Sequence, residues 1–479
     1  MSQLKERVAA ATQWTMGEKI LTALVQFAVR IVILRLLMPE DLKVLAILMA
    51  FSSFALVVVD SGFSQMLVRK QQPSQQELKS VFLYNLTVSG VIYGLLVAAA
   101  PHLARYYAMP QLGEVAMLFF LMIPLNALCV IQQTLFTREF RFALISKITF
   151  AAQCVSGGVA ILMAWLGWGV WALVWQQVLL MGVRALLLWG YSSWRPHERG
   201  SWASLRAMAP YSVSVMATDL VTAIYNKVPQ LILGKSYADA TLAYYDQAIK
   251  LKELPVQSAL QSVQVVTFPA LAKIAHEQPK FAESYRLVLM VVAYAMCPVM
   301  LGMSAVAYDL FAVLLGEQWL PTVPLFEVIC LAGIFTPLAM MAYNVLKVKA
   351  EGRLIVRLEV LKKGVMTLLL AVSIPHSVEA VIWALVASAA FDFAVNLFAS
   401  LPLAQLSFGR VVRTLLPILA TGAAMYAAVR GVAFWLSEPS LVRLLVEIAV
   451  GVVAYVGLSW CFRLEALNEV VQLIKKRKE

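Results

Sequence analysis

The sequence predicts an all-α polytopic membrane protein of about 14 transmembrane helices, arranged as two pseudo-symmetric six-helix lobes plus two C-terminal helices. Three observations predict it. Of 479 residues, 61% are hydrophobic and 14% charged, with mean hydropathy +0.78, whereas a soluble domain is roughly 45–50% apolar and about 25% charged. The apolar residues fall into runs of membrane-crossing length, about 20 residues each. The connections between those runs alternate between basic and nearly charge-free.

The runs follow in order. The first, 14–38, comes after the polar, amphipathic "MSQLKERVAAATQWTMGEK". It is too long for a signal-peptide core, so it is expected to stay in place and act as the insertion signal. The second, 44–68, leads into Arg69, Lys70 and Lys79. Runs 79–101 and 114–135 are joined by a loop whose only cation is Arg105, and 114–135 leads to Arg138, Arg141 and Lys147. Runs 142–166 and 168–191 lead to Arg195, Arg199 and Arg206; 207–234 meets Lys235; 242–272 leads to Lys273, Lys280 and Arg286. Runs 286–308 and 322–346 lead to Lys347, Lys349, Arg353, Arg357, Lys362 and Lys363. Runs 356–374 and 377–402 are joined by "IPHSVE", which has no Lys or Arg, and lead to Arg410 and Arg413. The last two, 411–436 and 441–463, flank Arg443 and end in "LIKKRKE".

Short basic loops stay cytoplasmic, which places both termini inside. The opposite set offers little beyond Lys43, Arg105, Lys235 and Arg443. The net charge of +12 follows from the same rule and does not point to nucleic acid. No loop is long enough for a folded extramembrane domain, which argues against an enzyme with a large catalytic outer loop. Cys129, Cys154, Cys297, Cys330 and Cys461 form no C-x-x-C pair and lie in apolar stretches; they read as structural. The separated His102, His197, His276 and His376 are expected in loops. Neither a metal nor another cofactor is indicated.

A weak internal repeat supports the two-lobe arrangement. "LRLLMPEDLKVLA" (34–46) and "LILGKSYADATLAYY" (231–245) place Asp41 and Asp239 in register, about 198 residues apart. Six spans separate the copies, the pattern of a parallel repeat with a binding site between halves. The expected organisation is an N-terminal lobe over 1–206, a C-terminal lobe over 207–402, two extra helices over 403–463 and a basic tail over 464–479.

Polar stripes mark several helices, because positions four apart share a face. Glu18, Thr22, Gln26 and Arg30 form one on the first span. Ser214, Thr218, Thr222, Asn226 and Gln230 form one on the seventh, with Asp219 and Lys227 at its edge. Asp246, Lys250, Glu253, Gln257, Gln261 and Gln264 mark the eighth; Ser388, Asp392, Asn396 and Ser400 mark the twelfth. Lipid cannot hydrogen-bond such faces, so they must meet protein or water.

Each charged candidate carries two readings. Arg30 lies roughly 24 Å beyond Trp14 at 1.5 Å per residue; it lines a cavity, or pairs with Asp60 or another acid. Arg35, near Pro39, reads as an interfacial anchor. Lys227 lines the cavity, next to a helix break at Pro229, or is structural. Asp246 and Lys250 form a mutual salt bridge, or Lys250 faces the cavity. Asp392 couples a proton or cation, or is a packed acid. Asp60 is a helix-end cap, or an ion partner.

"RLLMPED" (35–41), "DSGF" (60–63), "QTLFTREFRF" (133–142), "GVWALVWQQ" (169–177), "SWRP" (193–196), "AYYDQAIKLKELPV" (243–256), "FPALAKI" (268–274) and "GEQWLPTVPL" (316–325) occur in that order. In them the chain resembles the Wzx-type polysaccharide flippases, exopolysaccharide (colanic-acid-like) branch, of the multidrug/oligosaccharidyl-lipid/polysaccharide (MOP) exporter superfamily. The resemblance covers about residues 10–410. It implies alternating access in the bacterial inner membrane and movement of an undecaprenyl-pyrophosphate-linked oligosaccharide to the outer leaflet. Basic cavity residues would meet the anionic carrier; Arg30, Lys227 and Lys250 fill that role here, with Gln26, Asn226 and Gln257 beside them. Asp60, Asp219, Asp246 and Asp392 are the candidates for ion coupling or ion pairs. The chain departs from the family at Pro229, where Asp is usual, at Lys43 in place of Gly, and at Asp246-Gln247 in place of Asn-Arg.

The implied protein is not an enzyme, needs no cofactor beyond a proton or sodium gradient, and is expected as a monomer. Membrane lipids and the polysaccharide polymerase and export machinery are its other expected partners. Two rivals share the architecture: a drug/cation antiporter, kept open by Asp219, Asp246 and Asp392, and a peptidoglycan-precursor flippase.

Overall fold

The computed structural model describes residues 25–60, 62–70, 72–139, 141–237, 240–435 and 438–469, with some α10 side chains excluded. Glu18, Thr22 and Asp239 lie outside the described residues. The regular secondary structure of the described residues is entirely helical, with no strand. Among the described residues, 11 helical segments are long and apolar enough to cross a membrane; residues 14–24 of the first expected run lie outside the described residues.

The chain divides into two units, residues 1–243 and 244–479, with the boundary in the first turn of α10. The first unit begins with α1 (25–36), then α2 (Pro39–Asp60), α3 (Phe63–Arg69), α4 (Gln75–Tyr106), α5 (Pro110–Phe120) and α6 (Met122–Arg138). It continues with α7 (Phe142–Trp165), α8 (Val170–Tyr191) and α9 (Trp202–Ser236). The second span ends earlier than its hydropathy suggests. Gly62 takes φ +69°, a left-handed turn that a residue with a Cβ adopts only at a cost, and splits the run into α2 and α3. Helix α9 runs unbroken through Pro210 and Pro229, so the expected break at Pro229 is corrected. It packs on α2, α3 and α4.

Buried Phe63, Leu67, Phe82, Ile131 and Met208 form one apolar centre of this unit. Trp189 and Trp194 stack edge-on around Phe82, at ring distances of 5.7 and 5.8 Å. The "PED" turn holds two helix ends together, because the Asp41 carboxylate accepts from the Val170 backbone N–H at the start of α8. An anion there offsets the positive end of the helix dipole.

The second unit contains α10 (Thr241–Lys273) beyond its first turn, α11 (Gln278–Ala305), the short turn α12 (Ala307–Asp309) and a π-helical turn (Leu310–Leu315). A 3₁₀ turn (Glu317–Thr322) precedes α13 (Val323–Lys349), α14 (Gly352–Ser373), α15 (Val378–Ala404), α16 (Phe408–Trp435) and α17 (Leu441–Cys461). Tyr285, Phe281, Met300 and Met341 centre its core. Helices α13 and α15 make its most extensive packing, and α11 packs on both α13 and α16. Arg357, Lys362 and Lys363 sit inside α14 rather than in a connecting loop, and His102 lies inside α4, the fifth residue from its C-terminal end. Cys129, Cys297 and Cys330 are buried free thiols; Cys154 and Cys461 are exposed and free.

Candidate functional site

The polar stripes separate into two kinds. On α9, Ser214, Thr218, Thr222 and Asn226 are exposed, as is Asp219, while Lys227 is half-buried and Gln230 buried. The two threonine hydroxyls bond carbonyls of their own helix, Thr218 to Ser214 at 3.0 Å and Thr222 to Thr218 at 2.9 Å. That leaves a membrane-length helix with an uncovered polar face. On α15 the stripe is instead packed inward. Ser400 shares a 2.8 Å hydrogen bond with Tyr285 Oη, and Asn396 Nδ2 donates to the Ala339 carbonyl at 3.1 Å.

On α1, Gln26 is exposed and donates to Gln153 of α7 at 2.5 Å; Arg30 is half-buried one turn further on. Asp60 closes α2 and accepts from the Ser64 hydroxyl, which fits its reading as a helix-end group. Asp219 of α9 lies within electrostatic reach of Asp60. The structure thus brings two acids of the first unit together.

In the second unit, Lys250 and Asp246 form the i, i+4 ion pair at 2.5 Å, with the Asp246 side chain 8% exposed. Gln257 is exposed on the same helix, as is Glu253. Asp392 is isolated in sequence but not in space, lying in the field of Lys362 and Lys363 from α14. Lys362 is buried, bonded to Glu359 at 2.5 Å and to Asn396 Oδ1 at 3.2 Å.

Sequence reasoning missed three charged groups. Arg184, mid-helix in α8, donates to Gln133 at 2.7 Å. Lys362 was masked by its place in a run of cations that reads as a loop. Arg443 meets both Asp309 and Glu447, at 3.2 and 3.1 Å. A lone Glu447 in "RLLVEIAV", four residues after Arg443, was the available signal.

Outside the membrane segments, Glu465 is held below the usual glutamate range, chiefly by hydrogen bonds from Arg286. Arg286 bridges Glu283 and Glu465, and with Arg410 and Arg413 it lines a cavity of about 410 Å³.

The fold defines a multi-pass membrane protein in which one membrane-length helix, α9, carries an uncovered polar face. Its fold matches a lipid II flippase, MurJ, in an inward closed conformation, with TM-score 0.70 at 13% identity over 92% of this chain and 98% of that one. It also matches an inward-facing multidrug-resistance MATE transporter of the MOP superfamily, with TM-score 0.63 at 13% identity over 80% of this chain and 94% of the other. Residues 32–324 match the polysaccharide biosynthesis protein family, and the chain belongs to it.

Among curated relatives, the succinoglycan biosynthesis transport protein ExoT of Rhizobium meliloti (strain 1021) is 25% identical over 68% of this chain and 66% of its own length. The teichuronic acid biosynthesis protein TuaB of Bacillus subtilis (strain 168) is 22% identical over 63% of each. The lipopolysaccharide biosynthesis protein WzxC of Escherichia coli (strain K12) is 21% identical over 73% of this chain and 71% of its own length. The chain thus spans just under two thirds of the length of the first two.

Proposed function

We propose that the chain is a flippase that carries a polyprenyl-pyrophosphate-linked oligosaccharide from the inner to the outer leaflet of the bacterial inner membrane, by alternating access. The observation that carries this reading is the uncovered polar face of α9. Hydroxyls, an amide and a carboxylate left open along a membrane-length helix need water or a hydrated substrate beside them. A sugar chain supplies the hydrogen-bonding partner, while the polyprenyl tail stays in lipid. In the first unit Arg30 and Lys227 offer cationic contacts to the pyrophosphate, flanked by Gln26 and Asn226; in the second unit Lys250, beside Gln257, offers the same chemistry. A cation at depth acts in lower dielectric and is worth more than one at the rim. Both termini are cytoplasmic, the working form is a monomer, and a proton or sodium gradient drives the cycle. The polymerase and export machinery take up the product.

The drug/cation antiporter reading loses ground at the acids that favoured it. Asp246 is neutralised by Lys250 and Asp392 faces two lysines, which leaves Asp219, beside Asp60, as its support. A peptidoglycan-precursor flippase shares the fold, but the family match and the three relatives lie in other glycan pathways.

The test is leaflet-to-leaflet movement of a fluorescent undecaprenyl-pyrophosphate oligosaccharide in proteoliposomes, with and without a proton or sodium gradient. Wild type, Arg30→Ala and Lys227→Ala are compared at matched incorporation. Movement by wild type and its loss in the variants is the expected result. Efflux of a cationic dye with no lipid movement would establish the antiporter instead.

A further inference from the structure

Arg443, in the first turn of α17, is anchored through its own backbone N–H to Ser440 Oγ at 3.1 Å. Its guanidinium Nε lies 3.2 Å from Asp309 Oδ2 and 3.1 Å from Glu447 Oε1. The guanidinium is thus set between two carboxylates, with Nε donating to Glu447 Oε1. The side chains are 12%, 3% and 0% exposed for Arg443, Asp309 and Glu447. The second oxygens, Asp309 Oδ1 and Glu447 Oε2, are buried and accept no hydrogen bond among the described residues. The two carboxyl groups are within hydrogen-bonding reach of one another.

The charge count does not close. Two carboxylates and one guanidinium leave one negative charge in a setting sealed from water, where an uncompensated charge is strongly disfavoured. The surroundings supply no second cation among the described residues. Ala305, Val306, Val429 and Leu444 form the buried apolar packing there, with Tyr426 of α16 half-buried beside them. The charged groups on the packed helices are already matched, since Glu327 of α13 and Arg430 of α16 bind each other at 3.0 Å. Tyr308, next to Asp309, and Glu317 beyond the π-helical turn are exposed. Cys330 of α13 is a buried thiol, and Tyr455 of α17 donates to the Tyr294 carbonyl of α11.

We propose that Asp309 and Glu447 hold one proton between them, which makes the Asp309–Glu447–Arg443 cluster a proton-binding site of the second unit. A shared proton supplies the missing positive charge and turns two facing carboxylates into a hydrogen-bonded pair. A metal cation fits the donor set poorly, because it would sit against the guanidinium with only two open carboxylate oxygens to bind it. With the proton in place, the start of α17 is tied to the turn that follows α11. Without it, two like charges face each other and the tie loosens. The site does not depend on what the protein transports.

The test uses the full chain in lipid nanodiscs and two readouts. Infrared difference spectra between wild type and Asp309→Asn, and between wild type and Glu447→Gln, report protonated carboxyl groups at neutral pH. Each variant removes one acid while leaving the other to pair with Arg443. The expected result is loss of one protonated carboxyl per chain in each variant. The unfolding midpoint is then followed with pH. The folded wild type keeps a proton that the unfolded chain releases at neutral pH, so its midpoint falls as pH rises. That slope flattens in both variants. If Asp309→Asn does not fold, Glu447→Gln carries the comparison alone. A wild type with no carboxyl band lost in either variant would overturn the proposal. So would a midpoint that responds to added sodium at fixed pH in wild type but not in the variants.

Discussion

Lys43 Nζ donates a 2.9 Å hydrogen bond to the carbonyl of Tyr237, the residue that caps the C-terminus of α9. Lys43 is one of four cations in the connections that are otherwise poor in charge, and three of the four serve the fold directly. Lys235 reaches the Tyr106 carbonyl at the end of α4 and lies over the Tyr106 ring. Arg443 joins Asp309 and Glu447. Cations at helix C-termini satisfy open carbonyls and oppose the negative end of the dipole. Three of the four exceptions to the charge alternation are thus cations that the fold uses.

Lys43 is 3% exposed, so its truncation leaves a half-buried carbonyl short of a charged donor. Lys43→Met is expected to cost about 2 kcal/mol, read as a lower unfolding midpoint of the purified chain. An unchanged midpoint would show that the carbonyl finds another donor without cost.

Gly62 joins two constraints at one residue. Its φ of +69° costs a residue with a Cβ about 1–2 kcal/mol, and a Cβ there would stand 2.7 Å from the Ser212 carbonyl oxygen of α9. Gly62→Ala should lower the unfolding midpoint, and Gly62→Asn should do so too. Asparagine tolerates the left-handed region, so it relieves the backbone part and leaves the clash. Equal losses would assign the cost to the clash; a milder Asn variant would assign part to the backbone.

The same glycine shows where the sequence stops being readable. Hydropathy located the fourteen runs because it reports which residues avoid water, and i, i+4 spacing found the Asp246–Lys250 pair because that geometry is local. The early end of α2 depends on one backbone angle at Gly62, which no hydropathy sum contains. Lys362 and Lys363 read as loop residues because they continue a run of cations; Lys362 is held inside α14 by Glu359 and Asn396, the latter from another helix. Asp309 and Glu447 lie far apart in the chain and meet only through the packing of α12 on α17. The α9 and α15 stripes look alike in sequence, yet one is open and the other packed, a difference set by neighbours rather than by spacing.

Helices α11 and α16 approach closely at Gly422, where an added Cβ would overlap Cys297 Sγ. Small residues permit such contacts between membrane helices. Gly422→Ala is expected to cost about 1–3 kcal/mol by overpacking. Adding Cys297→Ala removes the sulfur and should recover part of the loss. Additive losses in the double variant would mean that the two sites do not touch.

The Arg286–Glu465 contact predicts a pH dependence with a definite sign. Glu465 is held below its ordinary value of 4.5, first by hydrogen bonds from Arg286 and then by its charge. A carboxylate with a depressed folded value contributes stability above that ordinary value and loses it as pH falls through the folded value. Amide exchange over residues 464–469, expressed relative to the intrinsic rate at each pH, should therefore quicken on acidification below about 4.5. In Glu465→Gln it should start faster and lose most of that pH response. A wild-type exchange profile indistinguishable from the Gln variant would refute the contact.

Asp246 and Lys250 allow stability and transport to be separated. The Asp246 side chain is 8% exposed and that of Lys250 33%, so Asp246→Lys or Lys250→Asp alone places like charges one turn apart in a partly buried setting. Each single reversal should lower the unfolding midpoint, while the double reversal restores the pair. The coupling in that cycle is expected to be on the order of 1 kcal/mol. Transport should not follow stability. If Lys250 meets the pyrophosphate, the double reversal returns the midpoint but puts a carboxylate where the anion must pass, and lipid-linked oligosaccharide movement stays low. Recovery of both together would make the pair a structural tie of α10 and move the cationic role to Arg30 and Lys227.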